Sequence, residues 1–147
     1  MPAALSFITL LLAGIVTWVG YQQYLLARAR FRLDLFDKRF AVYKATQKFL
    51  STILGAARFE MEEFWQFRRD TQDAPFLFRV DIVEFLDAID KAALDLRTAA
   101  RSYEHLPVGD ERTRLVNREA AVLKQLTDDL PRLRDVFAPY LSFRTWT

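Results

Sequence analysis

The stretch PAALSFITLLLAGIVTWVGYQQYLLARARFRLDLF, residues 2–36, joins a long uncharged apolar run to a basic and aromatic one. No charged side chain occurs before Arg28. A helix needs about 20 apolar residues to cross the ~30 Å hydrocarbon core of a bilayer. We therefore predict a transmembrane anchor over residues 1–27 and one further domain over residues 28–147.

Two other interpretations of the apolar run fit its sequence less well. A cleaved signal peptide carries basic residues before its apolar core and a small-residue cleavage site after it. In this chain the basic residues follow the run, and Trp18, Tyr21 and Tyr24 occupy the place of the cleavage site. A core helix of a soluble protein rarely runs so far without a charge. The sequence therefore favours a single-pass anchor.

The residues that flank the run predict its place and orientation in a membrane. Trp and Tyr are enriched at the headgroup level, and Lys and Arg accumulate on the cytoplasmic side. The predicted membrane-interface residues are Trp18, Tyr21, Tyr24, Arg28, Arg30 and Arg32. We expect the amino terminus outside and the carboxyl-terminal domain in the cytoplasm. The basic residues also favour anionic lipid headgroups, by about 1 kcal/mol per side chain.

The remainder of the chain predicts an all-α fold. Only 4 Gly and 5 Pro occur in 147 residues, and apolar residues recur at helical spacing. We expect the anchor to continue into a small antiparallel helical bundle, with approximate helices 28–54, 56–70, 79–105 and 110–138. The segment DTQDAPFLF, residues 70–78, is predicted to be a turn or short linker, and Asp110 to cap the last helix.

An apolar stripe on the first predicted helix contains Phe36, Phe40 and Tyr43. Because the other helices must cover one face of this helix, we interpret the stripe as part of the core rather than as a groove for a partner. Self-association of the same face as a coiled coil remains an alternative.

The composition excludes several kinds of chemical site. The chain has no cysteine and one histidine, His105, so it lacks thiolate nucleophiles, zinc–thiolate sites and the paired histidines of a di-iron bundle. No glycine-rich phosphate loop is present. Asp81, Glu84 and Asp87 share a helical surface that could bind a divalent cation or a basic partner, but such spacing is more typical of a solvated face. We expect no catalytic, cofactor or metal residues, and no enzyme activity.

Three segments stand out, namely RLDLFDKRFAVYKA at residues 32–45, DIVEFLDAIDKAALDLR at residues 81–97 and VFAPYLSF at residues 136–143. On these segments the chain resembles a group of uncharacterised small single-pass membrane proteins of bacteria that have a cytoplasmic helical domain. The three segments are packing motifs, and the resemblance implies an architecture and a place in the inner membrane without an assigned activity.

The expected function is that of a membrane-anchored, non-catalytic interaction or scaffolding protein. Its expected partners are the lipid bilayer and another protein or a second copy of the chain. A nucleic-acid partner is not expected, because the position of the basic residues beside the anchor already accounts for them. The alternative is a single-pass sensor whose helical bundle binds a small ligand. An enzyme with a metal site built from acidic residues is the weakest candidate.

Overall fold

The computed structural model describes residues 2–103 and 107–142, with the side chains of residues 12–102 and 107–142. The regular elements in these residues are all α-helices, which confirms the predicted all-α class. They are α1 (Pro2–Ala56), α2 (Met61–Thr71), α3 (Ala74–Leu77), α4 (Val80–Tyr103) and α5 (Asp110–Leu141).

The chain forms two compact units. The amino-terminal unit is Met1–Asp37, and the second unit, called the bundle below, is Lys38–Thr147. Helix α1 contributes residues to both. The predicted domains 1–27 and 28–147 are based on apolar composition and stay a prediction.

The part of α1 within the bundle presents one buried stripe. The stripe consists of residues spaced three or four apart, namely Val42, Thr46, Phe49, Leu50 and Ile53. The buried hydroxyl of Thr46 donates a hydrogen bond of 2.8 Å to the Val42 carbonyl, so no polar group of this side chain is left unpaired. Of the residues predicted to form this stripe, Phe40 is 38% exposed and stacks on Tyr43 at 5.8 Å between ring centroids.

An aromatic cluster joins α1 to α2. The Phe49 ring stacks on Phe67 at 4.5 Å and meets the edge of Phe59 at 5.5 Å, while Phe64 lies 6.1 Å away. Aromatic pairs of this kind contribute about 0.5–1.5 kcal/mol beyond the area that they bury. The cluster therefore holds α2 on the same core as the end of α1.

Helices α4 and α5 run antiparallel. The Tyr140 hydroxyl near the end of α5 donates a 2.7 Å hydrogen bond to Asp81 at the start of α4. Farther along α4, Asp95 pairs with Arg118 from the first half of α5 at 3.2 Å. An ion pair of 3.3 Å between Arg68 and Asp90 connects α2 to α4.

One local prediction is incomplete and another is wrong. The segment expected to be a turn or short linker has a turn at residues 72–73 and also contains the short helix α3, which Pro75 helps to begin because its fixed φ suits the first helical turn. Asp110 does not cap α5: the N-cap residue is Gly109, whose carbonyl accepts bonds of 3.0 Å from both the amide and the hydroxyl of Thr113. Asp110 lies in the first turn, where a negative charge complements the helix dipole.

Candidate functional site

The amino-terminal unit exposes large apolar side chains on all sides of α1. Because successive residues of an α-helix are rotated by about 100°, neighbouring positions such as Ile15, Val16 and Trp18 face different directions. The exposed set is Leu12, Ile15, Val16, Trp18, Val19, Tyr21, Tyr24, Leu25 and Leu26. A surface that is mostly apolar on every side of a helix, interrupted here by the polar residues Thr17, Gln22 and Gln23, is typical of a segment that contacts lipid or another protein.

The six predicted interface residues lie in this unit. The side chains of Trp18, Tyr21 and Tyr24 are 63%, 60% and 62% exposed. Arg28 and Arg30 are also exposed, and Arg32 is partly buried. They are spread over successive turns, about 21 Å along the helix axis, and do not form a pocket. Their assignment to a membrane interface stays a prediction.

One hydroxyl within the apolar surface has an internal partner. Thr17 donates a 2.8 Å hydrogen bond to the Ala13 carbonyl one turn earlier. An intrahelical bond of this kind allows a hydroxyl to lie in apolar surroundings without an unpaired donor. The segment is thus compatible with a non-aqueous environment at this position.

The described part of the chain contains no helix that is both long and apolar enough to pass through a membrane. The side chains of residues 1–11, which belong to the predicted anchor, lie outside the described residues.

A second feature lies in the bundle, around Arg39. The Nε of Arg39 donates a 2.9 Å hydrogen bond to the Leu77 carbonyl, and its guanidinium lies over the rings of Phe78 and Tyr140 at 5.8 and 5.6 Å. Partial burial lowers the pKa of Arg39 from its ordinary value. The side chain therefore connects α1 to the end of α3 and the end of α5.

Tyr140, which contacts Arg39, also binds Asp81, one of the three acidic residues that the sequence singled out. The hydrogen bond from Tyr140 lowers the pKa of the Asp81 carboxyl. The pKa of the Tyr140 hydroxyl is raised, mainly by desolvation and secondly by the same hydrogen bond to Asp81. Asp81 thus has a structural partner, whereas Glu84 and Asp87 are exposed. Within residues 12–102 and 107–142, no group of three His, Cys, Asp or Glu side chains is arranged to hold a metal ion.

Two carboxylates that sequence reasoning missed lie against the core. Asp129 is 6% exposed, and desolvation raises its pKa; its ion pair with Arg132 measures 3.7 Å. Desolvation also raises the pKa of Asp90, whose Oδ1 has no hydrogen-bond partner among the described residues. The sequence signal for the burial of Asp129 was its spacing, because it lies three residues after Leu126 and four before Leu133 on the apolar stripe of α5.

The remaining candidate of the sequence analysis, His105, lies outside the described residues. Comparisons of the chain with protein-family models, with curated proteins and with solved structures found no match.

Proposed function

We propose that the chain is a membrane-anchored helical interaction protein of the bacterial inner membrane. Residues 1–27 would hold it in the bilayer with the amino terminus outside, and the helical domain would be cytoplasmic. Its role would be non-catalytic, presenting the helical domain to a partner protein or to a second copy of the chain.

One observation carries this proposal: the first 27 residues lack charge, and from Leu12 onward their large apolar side chains are exposed on all sides of the helix. Leaving apolar surface in water costs about 25 cal/mol per Å². Removing this surface from water would therefore stabilise the chain, and a bilayer can cover every side of one helix at once.

The order of residues along α1 supports the same proposal. The part of α1 from Pro2 to Ala27 spans about 39 Å at ~1.5 Å per residue, which exceeds the ~30 Å hydrocarbon core. The excess would bring Tyr21 and Tyr24 to one headgroup region and Arg28 just beyond it. This is the order in which aromatic and basic residues follow one another at a cytoplasmic membrane surface.

Extraction of membranes with alkaline carbonate tests the anchor. The full chain should remain in the membrane pellet, whereas the double variant I15R/V16R should move largely to the supernatant, because an Arg near the middle of a span costs about 2.5–3.5 kcal/mol. The matched control is L94R/V116R, which changes two bundle residues that are each 42% exposed. This control should remain in the pellet.

Two results of the extraction would contradict the anchor. One is release of the unchanged chain by carbonate, and the other is full retention of I15R/V16R. Orientation needs a separate measurement: alkaline phosphatase fused to the carboxyl terminus should be inactive, since that enzyme folds only outside the cytoplasm. An active fusion would reverse the proposed orientation.

A second candidate function is a single-pass sensor whose bundle binds a small ligand. The observation that favours it is a cavity in the bundle that is lined by three arginines.

A further inference from the structure

The connection between α1 and α2, residues 57–60, borders a cavity of about 370 Å³ in the bundle, together with the last turns of α4 and Glu119 of α5. Small-molecule sites usually have volumes of about 300–1,000 Å³. Its lining contains three arginines, Arg58, Arg97 and Arg101, and two glutamates, Glu60 and Glu119, and its apolar wall includes Phe59 and Leu96. We call it the arginine cavity.

A sharp turn of the backbone forms one side of the arginine cavity. Ala57 follows the last residue of α1 with a φ of 52°, the left-handed conformation that commonly ends a helix. The chain turns there and brings Arg58 and Phe59 next to α4. The Phe59 side chain is only 8% exposed and that of Leu96 only 1%, so the wall is part of the folded core.

The central guanidinium is already held in place. Arg97 donates a 3.4 Å hydrogen bond to the Phe59 carbonyl and lies over the Phe59 ring at 5.9 Å. An arginine that is oriented before binding loses less side-chain entropy when a ligand arrives.

The other two guanidiniums have no carboxylate partner within the described part of the chain. Among the described residues, the ion pairs do not include Arg58 or Arg101, and both side chains are exposed. Glu60 and Glu119 also border the cavity, so its lining retains a net positive charge. Like charges that line one cavity repel one another, and an anion bound in the cavity would relieve this repulsion.

We propose that the arginine cavity binds an organic phosphate monoester, with its phosphate group on the three arginines and its apolar part against Phe59 and Leu96. A phosphate monoester carries close to two negative charges and offers three acceptor oxygens, which matches three guanidiniums better than the single charge and two oxygens of a carboxylate. The inference does not depend on the anchor, because the cavity lies entirely within the bundle.

Calorimetric titration of the full chain in neutral detergent micelles with phenyl phosphate tests the proposal. The variant R58Q/R101Q should weaken binding at least tenfold. The control R114Q/R134Q removes two exposed arginines of α5 and should change the dissociation constant less than twofold. Inorganic phosphate should bind at least tenfold more weakly than phenyl phosphate, because it cannot use the apolar wall. Absence of phenyl phosphate binding, an equal loss in the control, or equal binding of the two phosphates would overturn the proposal.

Nuclear magnetic resonance of the unchanged chain keeps the proposal testable if R58Q/R101Q does not fold. Phenyl phosphate should shift the Nε–H signals of Arg58, Arg97 and Arg101. Shifts confined to other arginines would contradict the site.

A phosphate monoester can be a soluble molecule or the headgroup of phosphatidic acid. The same titration in nanodiscs of phosphatidylcholine, with and without phosphatidic acid, distinguishes these two sources. Unchanged phenyl phosphate binding identifies a soluble ligand, whereas at least tenfold weaker binding with phosphatidic acid identifies the headgroup.

Discussion

Helix α1 contributes to two units of the chain that use apolar residues in opposite ways. In the amino-terminal unit, large apolar side chains from Leu12 to Leu26 are exposed on all sides of the helix. In the bundle, the buried residues of α1 form one stripe that includes Val42, Leu50 and Ile53, while Lys44 and Lys48 are exposed. The difference shows that the arrangement of apolar residues around a helix, more than their number, determines what can cover it: a stripe needs helices on one side, whereas an all-round surface needs cover on every side.

Removal of an aromatic side chain should affect the two units very differently. F137A should lower the free energy of unfolding by about 3–5 kcal/mol, because Phe137 is fully buried and contacts Tyr43 and Phe78 through its ring. W18A should change it by less than about 0.5 kcal/mol, since the Trp18 side chain is 63% exposed. Urea unfolding in detergent micelles measures both, and equal losses would contradict the contrast between the units.

Arginines on the same helix provide a finer comparison. R39M should lower the free energy of unfolding by about 1–2 kcal/mol, because it removes the hydrogen bond to the Leu77 carbonyl and the contacts with two rings. R30M changes an exposed arginine of the amino-terminal unit and should cost less than about 0.5 kcal/mol. Urea unfolding in detergent micelles measures both, and an effect of R39M no larger than that of R30M would contradict the structural role of Arg39.

The smallest expected effect is a dependence of the free energy of unfolding on pH, which arises from one carboxyl group of the bundle. Desolvation raises the pKa of Asp129 in the folded chain, so the folded state binds this proton more tightly than the unfolded state does. Protonated Asp129 therefore stabilises the folded state at low pH. This contribution is lost as the pH rises from the ordinary pKa of about 4 through the raised pKa of the folded state. D129N should remove this loss, so its stability relative to the unchanged chain should improve between pH 4 and pH 7.

Measurement of thermal unfolding across that pH range tests the role of Asp129. D135N is the matched control, since Asp135 is an exposed residue of the same helix. If D135N and D129N flattened the pH profile equally, burial of Asp129 would not be the cause.

The sequence predicted well those features that repeat along the chain. Helical spacing of apolar residues and scarce Gly and Pro indicated the all-α class. Local details were less predictable, because several short structures satisfy the same residues. Pro75 suits either a linker or the first turn of α3, and Asp110 suits either an N-cap or the first turn that it occupies.

By itself, the sequence determined the helical class, the uncharged apolar run over residues 1–27 and the lack of residues for thiolate or paired-histidine chemistry. Only the tertiary structure decided that Thr46 and Asp129 are buried, that Arg39 contacts Leu77 and Tyr140, and that Arg58 and Arg101 border one cavity. The physical reason is the range of the interactions. Periodicity and charge are local properties of the chain, whereas burial and a convergence of charges depend on residues that are distant in sequence and become neighbours only when the helices pack.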